Sequence, residues 1–136
     1  MHRPEMPFLE KNAAGAWYTT GYCTACGAPE DQAPTLLAPL TDDQLDTFFI
    51  RQPTTPAEVE AACRAAQVCC TSALRYGGQD PEIIKRLGNT PEFCDYLVSR
   101  AGSIVPAPLP WPPRPRLAWL RRLWNNIMKL RRLTSA

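Results

Sequence analysis

At 136 residues the chain is long enough for one domain with appendages. Its single histidine, His2, stands at the N-terminus, which removes histidine-based acid–base and triad chemistry and with it most hydrolase readings. The formal charge of +2 hides a split: residues 1–113 hold 8 Lys/Arg against 13 Asp/Glu, a balance of −5, whereas 114–136 hold 7 basic residues and no acid.

The N-terminal stretch "MHRPEMPFLEKNAAG" has no apolar run of the secretory type, and nothing approaches the roughly 18 apolar residues of a membrane span. The expected location is cytoplasmic, where thiols stay reduced. Six cysteines (23, 26, 63, 69, 70 and 94) then point to metal or redox chemistry rather than to disulfides. Cys94 stands alone and is expected to pack as a small hydrophobe.

Residues 1–15 read as an N-terminal arm. "AWYTTGYC" (16–23), rich in aromatic and β-branched residues, reads as a strand leading into the loop Cys23-x-x-Cys26. The proline-rich stretch to residue 40 has room for one helical turn. Thr41 and Gln44 have capping-box spacing and predict a short helix, followed by a strand over 47–52. Thr55, Pro56 and Glu58 then mark a helix over about 56–69. A strand over 72–76 is stopped by Gly77-Gly78. Asp80, Pro81 and Gly88 frame a short helix, and Thr90, Pro91 and Gly102 predict another. These two helices are expected to pack on a core domain of 16–103. Residues 104–115 read as a proline-rich linker and 116–136 as a basic amphipathic helix.

A strand, a Cys-x-x-Cys loop, a second strand, a capped helix ending in cysteine and a further strand together resemble a bacterial single-cluster ferredoxin. "CTACGAP" matches two of the three loop cysteines of that family, "APTLL" the stretch that follows, and "VCCTSALRY" its distant Cys-Pro segment, with Cys69 at the ligand position and Cys70 in the proline slot. The resemblance covers about residues 16–78. It implies an α+β, ferredoxin-like βαββαβ core, here with extra C-terminal helices. It also implies an iron–sulfur electron carrier that is not itself an enzyme, serving a redox partner protein. The implied ligands are Cys23, Cys26, Cys69 and Cys70, holding a [4Fe-4S] or [3Fe-4S] cluster. The chemistry is consistent: thiolates are soft ligands, Gly27 permits close backbone approach, and Ala65, Ala66, Thr71 and Ser72 are small.

The chain departs from the family at Pro29, which stands where a third loop cysteine belongs. The fourth ligand is then Cys70, Cys63 or solvent. On an ideal helix the two cysteines share a face but lie about 10 Å apart along the axis, so Cys70, just past the helix end, is preferred. A structural zinc site on the same four thiolates is the alternative metal reading. A cluster-free domain acting as an interaction module is the alternative without metal.

On a helical wheel, residues 116–133 place Trp119, Leu130, Leu123, Ile127, Leu120, Trp124, Leu117 and Met128 in one arc. Arg121, Arg132, Asn125, Lys129, Arg122 and Asn126 lie opposite, while Arg116 and Arg131 intrude on the apolar side. Such a helix suits an anionic membrane surface, a groove on a partner protein, or the acidic body itself. The first of these would make the protein peripheral at the membrane. Nucleic acid is not expected, because phosphate binding would leave the apolar arc unused.

Overall fold

A computed structural model describes residues 6–22, 25–109 and 118–134, with side chains of the last segment described over 123–131. Two small antiparallel sheets and four helices make up the described architecture, which is mixed α and β. In chain order these are β1 (Trp17–Thr19), α1 (Ala28–Gln32), α2 (Pro56–Val68), β2 (Leu74–Tyr76), α3 (Pro81–Arg86), β3 (Tyr96–Val98), β4 (Ile104–Pro106) and α4 (Ala118–Thr134).

β1 and β2 pair antiparallel with Trp17 opposite Tyr76 and Thr19 opposite Leu74. Backbone bonds from Gly77 N to Ala16 O (2.7 Å) and from Thr20 N to Ala73 O (2.9 Å) extend the ladder at both ends. Trp17 packs on Tyr76 with ring centroids 5.0 Å apart and on Phe49 at 6.1 Å. Leu36, Leu37, Ala62, Ala65, Ala66, Leu74, Ile84 and Leu87 complete a core with 0–1 % exposure.

The two best-marked helices start where the caps predict. Thr55 Oγ1 accepts the amide N–H of Glu58 (3.2 Å), and Asp80 Oδ1 accepts that of Glu82 (2.9 Å). The Glu58 carboxylate does not return to Thr55. It takes the Thr54 N–H (2.8 Å) and grips Arg51 with two bonds, and these partners hold it at about 2.

Three local expectations are corrected. The helix expected at Thr41 is a tight turn, in which Thr41 and Gln44 exchange both backbone bonds (2.9 and 3.0 Å). Asp42-Asp43 at its tip suits a turn, and the flanking segments 36–38 and 48–50 pair through Ala38 N to Phe48 O and Ile50 N to Leu36 O. The strand expected over 47–52 is thus reduced to this short pairing. The helix expected from Thr90 stops after one turn, and β3 follows, paired with β4 so that Leu97 faces Val105. The physical reason is competition for backbone groups: Asp95 N binds Tyr76 O (3.0 Å) and Tyr76 N binds Phe93 O (2.8 Å), bonds that a continuing helix would need. β4 also takes the first residues of the expected linker, while 110–115 and the helix start at 116–117 lie outside the described residues.

The stretch read as an arm is sewn into the fold over its described part. Asn12 donates to Leu9 O and Thr19 O, and its Oδ1 accepts from Thr19 N and Phe49 N.

The centre of the fold is polar. Arg75 and Asp95, both at 0 % exposure, meet at 3.0 Å. Asp95 Oδ2 accepts the Tyr18 hydroxyl at 2.6 Å, and the remaining guanidinium N–H groups reach the carbonyls of Glu92, Pro91 and Cys94. Removing one partner of such a pair leaves a buried charge uncompensated. Asp95→Ala should therefore cost about 3–5 kcal/mol in urea unfolding. Tyr18→Phe should cost less, about 1.5–3 kcal/mol for one bond to a charged group. Equal, small losses would show that the pair is not a structural requirement.

Candidate functional site

Helix α2 carries the downstream cysteines to two different environments. Its buried face is Ala62, Cys63, Ala65 and Ala66, so Cys63 and the small alanines serve packing in the core. α2 ends at Val68, and Cys69 caps it in extended geometry with 8 % exposure. A turn then closes through Ser72 N to Cys69 O (3.3 Å), with Ser72 at a φ of 51°. This turn directs the Ala73 N–H onto Cys69 Sγ (3.3 Å) and places Thr71 Oγ1 at 3.5 Å from the same sulfur. Cys70 lies in the turn and is exposed.

The upstream segment has matching backbone features. Cys26 is exposed and stands between Ala25 at a φ of 56° and Gly27 at 79°. A side chain on Gly27 would meet nothing within 4 Å, so glycine is needed there for its backbone angle and the space above it is open. Left-handed geometry at Ala25 and Ser72 costs about 1–2 kcal/mol each, and two of the three non-glycine residues with positive φ among the described ones lie in the two cysteine segments.

Pro29 sits in the first turn of α1, where its ring suits the helix and its missing N–H is not required. It is fully buried and accepts the Ala33 N–H at 3.0 Å. The position where the resemblance implies a third thiolate is therefore occupied by a core residue. Beside it opens a cleft of about 290 Å³ lined by Gly27, Glu30, Asp31, Pro34, Leu37 and Leu40.

Of the four implied ligands, Cys23 lies outside the described residues. Among the described residues no three His, Cys, Asp or Glu side chains converge as they would around a metal ion, so Cys26, Cys69 and Cys70 are not gathered into such a set. The β1–β2 ladder does bring the Cys69 turn to the end of β1: the Ala73 carbonyl accepts Thr20 N–H while the Ala73 amide serves Cys69 Sγ. Sequence reasoning missed the hydroxyl of Thr71 at that sulfur and the bond from Ser72 Oγ to Glu92 Oε1 (3.0 Å). The first was readable from the spacing of two residues. The second joins positions 20 residues apart and had no local signal.

Cys63 and Cys94 have 0 % exposure, and burial pushes both thiols up to about 11. Cys94 is thus the packed thiol expected, and ligation by Cys63 would require opening the core. Comparison with protein-family models, with curated proteins and with solved structures gives no match.

Iodoacetamide at pH 8 should modify Cys26 and Cys70 well before Cys63 and Cys94, as read by peptide mass spectrometry. The folded thiols at 63 and 94 keep their protons to about 11, whereas unfolded ones release them near 9.0. Stability should consequently be intact below pH 9 and fall as pH rises from 9 to 11. A urea midpoint that stays level across that window would contradict the burial of both groups.

Proposed function

We propose that residues 16–78 form a ferredoxin-like unit that holds one iron–sulfur cluster, [4Fe-4S] or [3Fe-4S], on Cys23, Cys26, Cys69 and Cys70 and acts as a one-electron carrier. The observation that carries this reading is the double role of Ala73. Its carbonyl holds Thr20, three residues before Cys23, and its amide donates to Cys69 Sγ. One backbone unit therefore ties the segment leading to the upstream cysteines to the turn that presents the downstream pair. The pairings are compatible with the same reading: β1 pairs with β2, and between α1 and α2 in the chain 36–38 pair with 48–50.

The residues fit such a group in donor chemistry. Four thiols supply soft ligands, Cys69 Sγ already receives an N–H of the kind that tunes cluster sulfurs, and open space lies over Gly27 beside Cys26. The cluster, when bound, supplies one-electron chemistry. The chain positions sulfur, sets the local hydrogen bonding and offers the exposed Asp31, in the cleft that Gly27 lines, as an acidic group for a basic redox partner. No catalytic group of the chain's own enters this reading.

A second reading is favoured by one observation, the burial of Pro29 in α1 where a third loop ligand is missing. In it the same scaffold is an interaction module, stabilised by zinc on the four thiolates or free of metal.

Anaerobic purification and reconstitution with iron and sulfide separate the two. The carrier should be brown, absorb broadly across the visible and bleach with dithionite. Cys69→Ser should remove the colour, and Cys94→Ser should keep it. Colour that survives Cys69→Ser overturns the ligand assignment. A colourless protein with one zinc, or with no metal, overturns the carrier in favour of the module.

A further inference from the structure

Helix α4 has no part in the cysteine chemistry, and its surface is unlike the rest of the chain. It spans Ala118–Thr134, about 26 Å at ~1.5 Å per residue. Leu123, Trp124, Ile127 and Met128 stand on one side of it and keep 40–64 % exposure, and none of them belongs to the core cluster. Small proteins seldom leave four large apolar side chains together in water without a use for them.

We propose that α4 lies flat in the interface of an anionic lipid surface, with Leu123, Trp124, Ile127 and Met128 in the acyl boundary and the basic residues at the headgroups.

Charge complementarity chooses this occupant. From residue 114 to the end there are seven basic residues and no acid. Arg121, Arg122, Lys129 and Arg132 share the half of the wheel opposite the apolar arc, where they would meet a negatively charged surface along the helix length. The width of the apolar arc argues in the same direction. It covers about half the circumference, interrupted by Arg116 and Arg131 near the helix ends, as suits a planar interface, whereas a groove on a protein needs only a narrow row of anchors at i, i+3, i+4 and i+7. Trp124 adds an amphipathic ring suited to the headgroup level.

The remaining chain is arranged to match. Residues 1–113 have a balance of −5 and are repelled by the surface that attracts the tail. Six prolines fall within 104–116, a composition that favours keeping the two apart. Among the described residues no helix is long and apolar enough to cross a membrane, so this attachment is peripheral and sensitive to salt.

Flotation of the full-length protein tests the inference, using phosphatidylcholine vesicles with and without about 30 % phosphatidylglycerol. The protein should float with the anionic vesicles at low salt, stay behind with neutral ones, and be released at about 0.5 M salt, where screening shortens the reach of charge to a few ångströms. Ile127→Glu combined with Trp124→Glu should weaken partitioning by about tenfold or more. Both positions are exposed, so the melting curve of the body should not move, and that measurement separates lost docking from lost folding. Failure to float with anionic vesicles, equal flotation with neutral ones, or undiminished binding by the double variant would overturn the proposal. The first of these would leave a protein groove or the chain's own body as the occupant. The outcome does not depend on cluster content: a colourless protein that floats upholds this inference and refutes only the carrier.

Discussion

A guanidinium and a carboxylate with no solvent exposure, Arg75 and Asp95, set the constraint under which the rest of the body is built. Burying either charge alone would be prohibitive, so both must be paired and their remaining hydrogen-bonding capacity filled. Asp95 binds Arg75 through one oxygen and the Tyr18 hydroxyl through the other. Arg75 spends its other donors on three carbonyls between residues 91 and 94. β1, β2 and the segment before β3 are thereby fixed to one another at a single point. Gly77 shows how tight that point is, since a Cβ there would stand 3.2 Å from Asp95 Oδ2, from Ala16 O and from the Tyr18 ring. The C-terminal hairpin is therefore part of the same packed unit as the cysteine-bearing half, tied further by Ala107 N to Asp95 O.

That packing sorts the cysteines by what faces them. Cys63 and Cys94 lie in the apolar interior, where burial holds them protonated. Cys26 and Cys70 reach the surface, and Cys69 sits at the boundary with a backbone donor on its sulfur. Backbone strain follows the same division. Ala25 and Ser72 adopt left-handed angles that glycine or asparagine would bear more cheaply, and both flank thiols outside the core. A scaffold selected for stability alone has no physical need of strain at those two places, which is why they weigh in favour of a site there.

The two ends of the molecule are electrically opposed. An acidic body carries the exposed Asp31 beside the Cys26 segment, and the cationic helix follows a proline-rich stretch. A surface that attracts one end repels the other, so the charge split gives the chain a polarity that neither half has alone.

Much of this was readable locally. The caps at Thr55 and Asp80, the prolines at the first helical positions and the strand character before Cys23 and after Cys70 all depend on neighbours within a few residues, and the corresponding features stand in the structure. The same local grammar failed at Thr41 and Thr90, where the capping pattern was present but hairpin pairing and the contacts of Tyr76 took the backbone groups a helix would have used. Of the candidate site, the sequence by itself determined the inventory of thiols, their spacing and the absence of histidine among their neighbours. Only the tertiary structure decided that Cys63 and Cys94 are enclosed, that Pro29 is a core residue and that Ala73 links Thr20 to Cys69. Burial and long-range pairing depend on what packs opposite a residue, and that information is distributed over positions far apart in the chain.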